Sequence, residues 1–297
     1  MTVPEQVNTI VLHHSATSNV AGELALSLGA PVFTVHTKRF PDGTANVRLP
    51  TEVRGKNVIL VADTRPDSAI IKLLLLQAAL QRGGAARIDT VIPYYAYARQ
   101  DRRACKEDQP VAAEVFAQLI GQTTNRVVVV EPHNQSFMGC FGESAVSASP
   151  IREIAEHLES FGVGFVLAPD EGALPRAKEV AEILGVPFDH LDKKRVSPTE
   201  VRIVPKELKV QGLRVAVLDD MISGGDTTAA AITELKRQGA DRVVAACVHG
   251  LFLGDALDKL RVAGCNRVVA TNTVAVVPYG KVSCVPAIVR ALQEGQK

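Results

Sequence analysis

The sequence predicts an α/β protein built as two successive units, and two observations carry that reading. Short β-branched runs alternate with longer Ala-, Leu- and Glu-rich segments along the whole chain, the pattern of parallel βαβ units. A stretch of small residues, Gly142-Glu-Ser-Ala-Val-Ser-Ala-Ser-Pro150, lies midway and separates two series of similar length. The boundary is placed there, giving domains over 1–146 and 147–297.

In the first series, strands are expected near Thr9–Leu12, Pro31–Val35, Asn57–Ala62, Asp89–Tyr94 and Arg126–Val130. One helix runs from about Val20 to Leu28 and stops at Gly29. A second starts after the capping candidates Asp67 and Ser68 and stops at Gly83-Gly84, and a third follows Pro110, a residue suited to a first helical turn. The second series repeats the plan. Its strands are expected near Gly164–Leu167, Phe188–Leu191, Arg214–Leu218, Arg242–Ala246 and Arg267–Ala270, and its helices over Ile151–Ser160, Glu171–Leu184 and Thr227–Gln238. Duplicated open α/β units imply a ligand site beyond the carboxyl ends of the strands.

Composition narrows the function. Of 297 residues 46% are apolar, and 33 Lys+Arg balance 32 Asp+Glu to a formal net charge of +1, which excludes a disordered tail and a charge-driven nucleic-acid or membrane binder. The five cysteines are an odd number without C-x-x-C spacing, and the opening Met1-Thr-Val-Pro-Glu-Gln6 has neither basic n-region nor apolar h-region. Reduced thiols in a cytoplasmic protein are therefore expected. The apolar stretch Ile70–Leu80 is interrupted by Lys72 and Gln77, too short for a bilayer, and reads as a core helix.

The segment richest in chemistry is Arg214-Val-Ala-Val-Leu-Asp-Asp-Met-Ile-Ser-Gly-Gly-Asp-Thr-Thr228, a buried strand ending in two carboxylates, then a glycine loop, then a helix. A strand that turns through glycines into a helix gathers backbone N–H groups and a helix N-terminus at one spot, which suits a phosphate. Asp219 and Asp220 can hold sugar hydroxyls or a hydrated magnesium ion, since both ask for hard oxygen acceptors. The same residues could instead cap and relieve a turn.

This segment resembles the ribose-phosphate loop of phosphoribosyltransferases and of their duplicated relatives, the ribose-phosphate pyrophosphokinases. Five further segments point to the second group. Pro93-Tyr-Tyr-Ala-Tyr-Ala-Arg-Gln-Asp-Arg-Arg103 is similar to its Pro-Tyr-x-x-Tyr-Ala-Arg-Gln-Asp motif, and Arg39-Phe-Pro-Asp-Gly43 to its Arg-Phe-x-Asp-Gly motif. Glu131-Pro-His-Asn-Gln-Ser-Phe-Met-Gly-Cys-Phe141 resembles its Asp-x-His stretch, and Ala168-Pro-Asp-Glu-Gly172 with Arg176-Ala177, then Asp192-Lys-Lys-Arg195, follow in the family's order. The resemblance spans roughly residues 8 to 285 and is to short, archaeal-type members.

The resemblance implies two tandem phosphoribosyltransferase-like domains, the first binding ATP and the second ribose phosphate. It implies that ATP meets Phe40, Asp42, Arg99, Gln100, Asp101 and Arg103, with Phe40 and Asp42 at the adenine. A basic flap is expected over Arg102–Gln109, with Arg102, Arg103 and Lys106 available. The sugar phosphate falls to Ser223, Gly224, Gly225, Asp226, Thr227 and Thr228, the ribose hydroxyls to Asp219 and Asp220 with Asp170 at the ribose, and magnesium to His133 and Asp170. Catalysis falls to Lys193, Arg195 and Arg99, with cations balancing the phosphates. Glu131 and His133 are expected on one side if strand geometry continues past the valines. The remaining histidines, His13, His14, His36, His157, His190 and His249, receive no role.

Three positions depart from the family pattern. Gly224-Gly225-Asp226-Thr227 stands where Thr-Gly-Gly-Thr belongs, so a carboxylate would face a phosphate dianion. Either Asp226 takes left-handed backbone and points outward, or, the alternative favoured slightly, the loop is shifted by one so that Ser223-Gly224-Gly225 replaces Thr-Gly-Gly. Thr44 replaces a frequent Glu, and Glu131 replaces Asp. The implied activity is magnesium-dependent transfer of the β,γ-diphosphoryl group of ATP to the anomeric hydroxyl of ribose 5-phosphate by a homodimer or homohexamer. A phosphoribosyltransferase and a non-catalytic regulatory homologue stay open as alternatives.

Overall fold

A computed structural model describes residues 8–101, 109–195, 201–203, 206–274 and 281–294. In the first half, β1 (Thr9–His13), α1 (Ser18–Leu28) and β2 (Val32–Thr34) lead into an antiparallel hairpin of β3 (His36–Arg39) and β4 (Ala45–Arg48). Then follow β5 (Asn57–Val61), α2 (Asp67–Arg82), β6 (Arg87–Ile92), α3 (Ala112–Gly121), β7 (Arg126–Val130) and β8 (Val146–Ala148). Six strands form a parallel sheet in the order β2-β1-β5-β6-β7-β8. Every residue of β7 is buried, as an unbroken valine run between covered faces should be. Helix α2 buries Ile70, Leu73, Leu76 and Leu80 along one stripe, which is why its apolar run belongs to the core. Gly29 ends α1 with φ 62°, a conformation in which a side chain would be strained.

The second half runs α4 (Ile151–Glu159), β9 (Phe165–Ala168), α5 (Leu174–Leu184) and β10 (Phe188–His190), then a hairpin of β11 (Lys193–Arg195) and β12 (Val201–Ile203). It continues through β13 (Arg214–Ile222), α6 (Asp226–Arg237), β14 (Arg242–Gly250), α7 (Ala256–Val262), β15 (Arg267–Thr271) and β16 (Lys281–Val282). Its parallel sheet has the order β10-β9-β13-β14-β15-β16. In each half the second sheet strand takes the edge, the first lies beside it, the rest follow in sequence, and a hairpin interrupts after the second strand. One topology is used twice.

The last helix, α8 (Val285–Gln293), packs on α1, β7 and β8, so the two units are Met1–Ser149 with Cys284–Lys297, and Pro150–Ser283. The sequence division put this helix in the second domain. The structure differs because buried Arg126 on β7 donates to the carbonyls of Ala291 (3.5 Å) and Leu292 (2.7 Å), oxygens that a helix C-terminus leaves without intrahelical partners. Other differences are local. β13 runs four residues past Leu218, so both carboxylates lie inside the strand. Asp67 is the first residue of α2 rather than its cap, and Pro110 precedes α3, which opens at Ala112. No helix among the described residues is long and apolar enough to cross a membrane.

Candidate active site

In the second unit, β13 stays in register with β14 through Asp219↔Cys247 and Met221↔His249, which carries both carboxylates to the C-terminal end of the sheet. Asp220 is 5% exposed and Asp219 half-buried, and the Asp220 N–H donates to Asp219 Oδ1 at 2.9 Å. Burial, then the charge and hydrogen bond of Asp220, then the charge of Asp170 push the Asp219 carboxyl well above the usual carboxylate range. Asp219 therefore holds its proton more tightly than an isolated aspartate does. Asp170 follows the adjacent strand β9 and caps a 3-10 turn, Glu171–Ala173, accepting the Ala173 N–H at 3.2 Å. Asp170, Asp219 and Asp220 are thus brought together at the strand ends, where open α/β sheets take ligands.

Ser223, Gly224 and Gly225 then turn the chain into α6. Gly225 has φ 79° and is buried, and a Cβ there would lie 3.1 Å from the Ala256 carbonyl oxygen, so conformation and space both require glycine. The first turn of α6 directs N–H groups without intrahelical acceptors outward, a ready anion site. Asp226 opens α6, so the left-handed residue is Gly225 and not Asp226. Its carboxylate is 71% exposed and lies 2.8 Å from the ammonium of Lys259 on α7. Thr227 is half-buried, whereas Thr228 lies on the buried stripe of α6 with Ala231, Ile232 and Leu235.

The first unit gathers a second group. Arg39-Phe-Pro-Asp-Gly43 forms the tip of the β3–β4 hairpin, closed by Phe40 N–H to Thr44 O and Gly43 N–H to Phe40 O, each 2.9 Å. Asp42 accepts the Thr44 N–H (2.9 Å) and hydroxyl (2.7 Å), which hold its carboxyl below the usual range, while the Phe40 ring stays 52% exposed. The loop after β6 is pinned by its aromatics. Tyr95 donates to Ala113 O at 2.8 Å and packs on Phe137 and Phe141, and Tyr97 donates to Asp67 at 2.6 Å. Buried Thr64 donates to Tyr94 O (2.8 Å) and accepts the Ala96 N–H (2.9 Å). The motif's tyrosines therefore position the loop, leaving Arg99 and Gln100 exposed.

Asp101 accepts a 2.8 Å hydrogen bond from Asn134, joining this loop to the turn that carries half-buried His133. Glu131 departs from the strand geometry that the sequence suggested. Its φ is 39°, its N–H donates to Ala148 O, and its buried carboxylate accepts the Ser149 hydroxyl at 2.7 Å, so alternation with His133 ends at Val130. Arg103 and the flap over 102–108 lie outside the described residues, as do the side chains of Lys193 and Arg195. The backbone of those two forms β11, with Lys193↔Ile203 and Arg195↔Val201 in register. Asn134, Thr64 and Lys259 escaped the sequence reading.

Magnesium prefers oxygen ligands and is usually held by one or two carboxylates with substrate phosphates and water. Asp170, Asp219 and Asp220 are donors of that kind, while the His133 nitrogen is a softer one. Among the described residues no three His, Cys, Asp or Glu side chains form a cluster set to hold a metal ion.

Residues 9–123 match the family described as the N-terminal domain of ribose phosphate pyrophosphokinase, and residues 150–280 match the phosphoribosyl transferase domain. A ribose-phosphate pyrophosphokinase of Pyrococcus furiosus is 39% identical over 265 residues, covering 89% of this chain and 94% of its relative. That of Methanopyrus kandleri is 36% identical, covering 96% and 98%. The crystal structure of phosphoribosylpyrophosphate synthetase from Mycobacterium smegmatis superposes with a TM-score of 0.84 at 26% identity, covering 96% of this chain and 98% of that one. Two matched domains in order, near-complete coverage and identities well above 30% establish that the chain belongs to the ribose-phosphate pyrophosphokinase family.

Proposed function

We propose that this chain makes 5-phosphoribosyl 1-diphosphate and AMP from ATP and ribose 5-phosphate. The observation that carries the reading is the Asp219–Asp220 pair, with Asp220 buried and Asp219 half-buried, followed after two residues by the Ser223–Gly225 turn and the N-terminus of α6, a hydroxyl-binding pair beside an anion-binding helix end. In this reading the α6 N–H groups, Ser223 and Thr227 take the sugar 5-phosphate, and Asp219, Asp220 and Asp170 take ribose hydroxyls. Phe40 and Asp42 face the adenine, and Arg99, Gln100, Asp101 and Arg103 meet the nucleotide. The anomeric oxygen forms a bond to the β-phosphorus as the bond from that phosphorus to the oxygen of the α-phosphate breaks. AMP leaves with the bonding pair, and the hydroxyl proton is released. Lys193, Arg195 and Arg99 stabilise charge that grows during this displacement, and no covalent enzyme intermediate is needed. Magnesium arriving with the substrates would supply charge neutralisation on the phosphates, and His133 in the first unit and Asp170 in the second are each proposed as a side chain that would contact it in its own unit.

The protein acts in the cytoplasm as a homodimer or homohexamer. The exposed apolar pairs Ile71 and Leu75 on α2, and Val115 and Leu119 on α3, each one turn apart on its own helix, support association. The test of the activity is AMP formation from ATP with and without ribose 5-phosphate, in magnesium. The expected result is AMP only when the sugar phosphate is present. No AMP under either condition, despite measurable binding of ribose 5-phosphate, would favour a regulatory homologue. Consumption of the diphosphate with a nucleobase would favour a phosphoribosyltransferase.

A further inference from the structure

The phosphate loop of this chain carries a carboxylate at the first residue of the helix meant to receive a dianion. An unopposed Asp226 would repel the ligand from a site whose attraction comes from backbone N–H groups, a helix end and the neutral hydroxyls of Ser223 and Thr227. The structure provides a specific opponent. Lys259 Nζ lies 2.8 Å from Asp226 Oδ1, 3.1 Å from Asp255 Oδ1 and 3.5 Å from the carbonyl oxygen of Gly224, so the ammonium touches the loop both through a side chain and through its backbone. Its carrier, α7, lies close against the loop and α6: a Cβ added at Gly225 would come within 3.1 Å of the Ala256 carbonyl oxygen, and the Leu253 N–H, just before α7, donates to Ser223 O at 3.0 Å. Asp226 and then Asp255 raise the affinity of Lys259 for its proton, so it stays cationic throughout the working pH range.

We infer that Lys259 is a positioning residue for the phosphate loop: it neutralises Asp226 and holds the carboxylate against α7, which lets the N-terminus of α6 accept the 5-phosphate. The inference rests on the reading of this loop as the ribose 5-phosphate site. It explains how the chain departs from a Thr-Gly-Gly-Thr loop while keeping an anion site, because the added negative charge arrives with its own counter-charge. The carboxylate and the ammonium form one unit. Removing the cation alone should harm binding, and removing both should not.

The experiment is calorimetric titration of the full chain with ribose 5-phosphate at low ionic strength, where partly exposed charges are least screened. Wild type, Lys259→Ala, Asp226→Asn and the double variant form a cycle. Lys259→Ala should weaken binding about tenfold or more, Asp226→Asn should change it within a few-fold, and the double variant should return to within a few-fold of wild type. In steady state the Lys259→Ala loss should fall on the KM for the sugar phosphate, with kcat nearly kept. Lys259→Arg should retain wild-type binding, and Lys259→Gln replaces Lys259→Ala if the latter fails to show a wild-type circular dichroism spectrum. Unchanged binding in Lys259→Ala overturns the inference. So does weakened binding that Asp226→Asn does not restore, since Lys259 would then act on the ligand directly. A wild-type chain that binds no ribose 5-phosphate at millimolar concentration overturns the reading of the site itself.

Discussion

Replacing Asp219 with Asn tests whether the strand-end carboxyl pair stores electrostatic cost for ligand binding. The substitution keeps an oxygen to accept the Asp220 N–H at 2.9 Å and removes one ionisable group. Burial and the charges of Asp220 and Asp170 raise the Asp219 carboxyl, so the native state keeps a proton that the unfolded chain gives up above about pH 4. A group raised in this sense destabilises the fold as pH rises, by at most about 1.4 kcal/mol per pH unit across the interval where native and unfolded proton occupancies differ. Two like charges about 5 Å apart at an effective dielectric of about 20 repel by about 3 kcal/mol, which sets the order of magnitude of the like-charge part, and burial adds to it. Asp219→Asn is therefore expected to gain about 1–3 kcal/mol over wild type at neutral pH, with the gain shrinking toward pH 4. Urea unfolding followed by circular dichroism from pH 5 to 8, without magnesium, reads the difference. Ribose hydroxyls donate to carboxylates, so sugar-phosphate affinity of the wild type should rise over the same interval. The ligand's own phosphate titrates near pH 6, and the Asn variant subtracts that contribution. Parallel stability profiles for wild type and Asp219→Asn would refute the raised Asp219 carboxyl.

Lys193→Ala and Arg195→Ala should each lower kcat on the order of 10²-fold with little change in the KM for ribose 5-phosphate, because they act on charge that appears during transfer; steady-state kinetics would reject the assignment if kcat holds in both. Thr64→Val leaves the Tyr94 carbonyl and the Ala96 N–H without their buried partner, and should cost about 2–4 kcal/mol in urea unfolding while raising the KM for ATP through the loop that bears Arg99. Leu75→Lys with Leu119→Lys places charge on the exposed apolar pairs of α2 and α3 and should shift the particle toward monomer in light scattering, with an unchanged mass counting against those surfaces.

The fold was legible because its signals are local. Valine runs such as Arg126–Val130 and the alternation of strands with helices require only the sheet to be parallel and covered. What the sequence reading missed is short or stabilised from afar. β8 and β16 have three and two residues, too few for a period to show. Helix α8 follows the second domain in sequence and returns to the first, held there by Arg126, and no local pattern announces a partner so distant.

The site divides along the same line. Motif residues announce themselves by type and spacing, but whether a residue touches ligand or holds its neighbour is a question of burial. Tyr95 and Tyr97 stand in the same motif as Arg99, yet one hydroxyl is spent on Ala113 and the other on Asp67, so the aromatics shape the loop and the arginine is left to the solvent side. Glu131 looks like a partner of His133 by strand alternation, and a single left-handed residue removes that relation. Asp226 is the sharpest case. From sequence it is an anion beside a phosphate, and its meaning reverses only when Lys259 is seen 2.8 Å away on the next helix. A charge in a binding loop has no sign of effect until its counter-charge is located, and that location is set by the packing of α7 against Gly225 rather than by any pattern around Asp226.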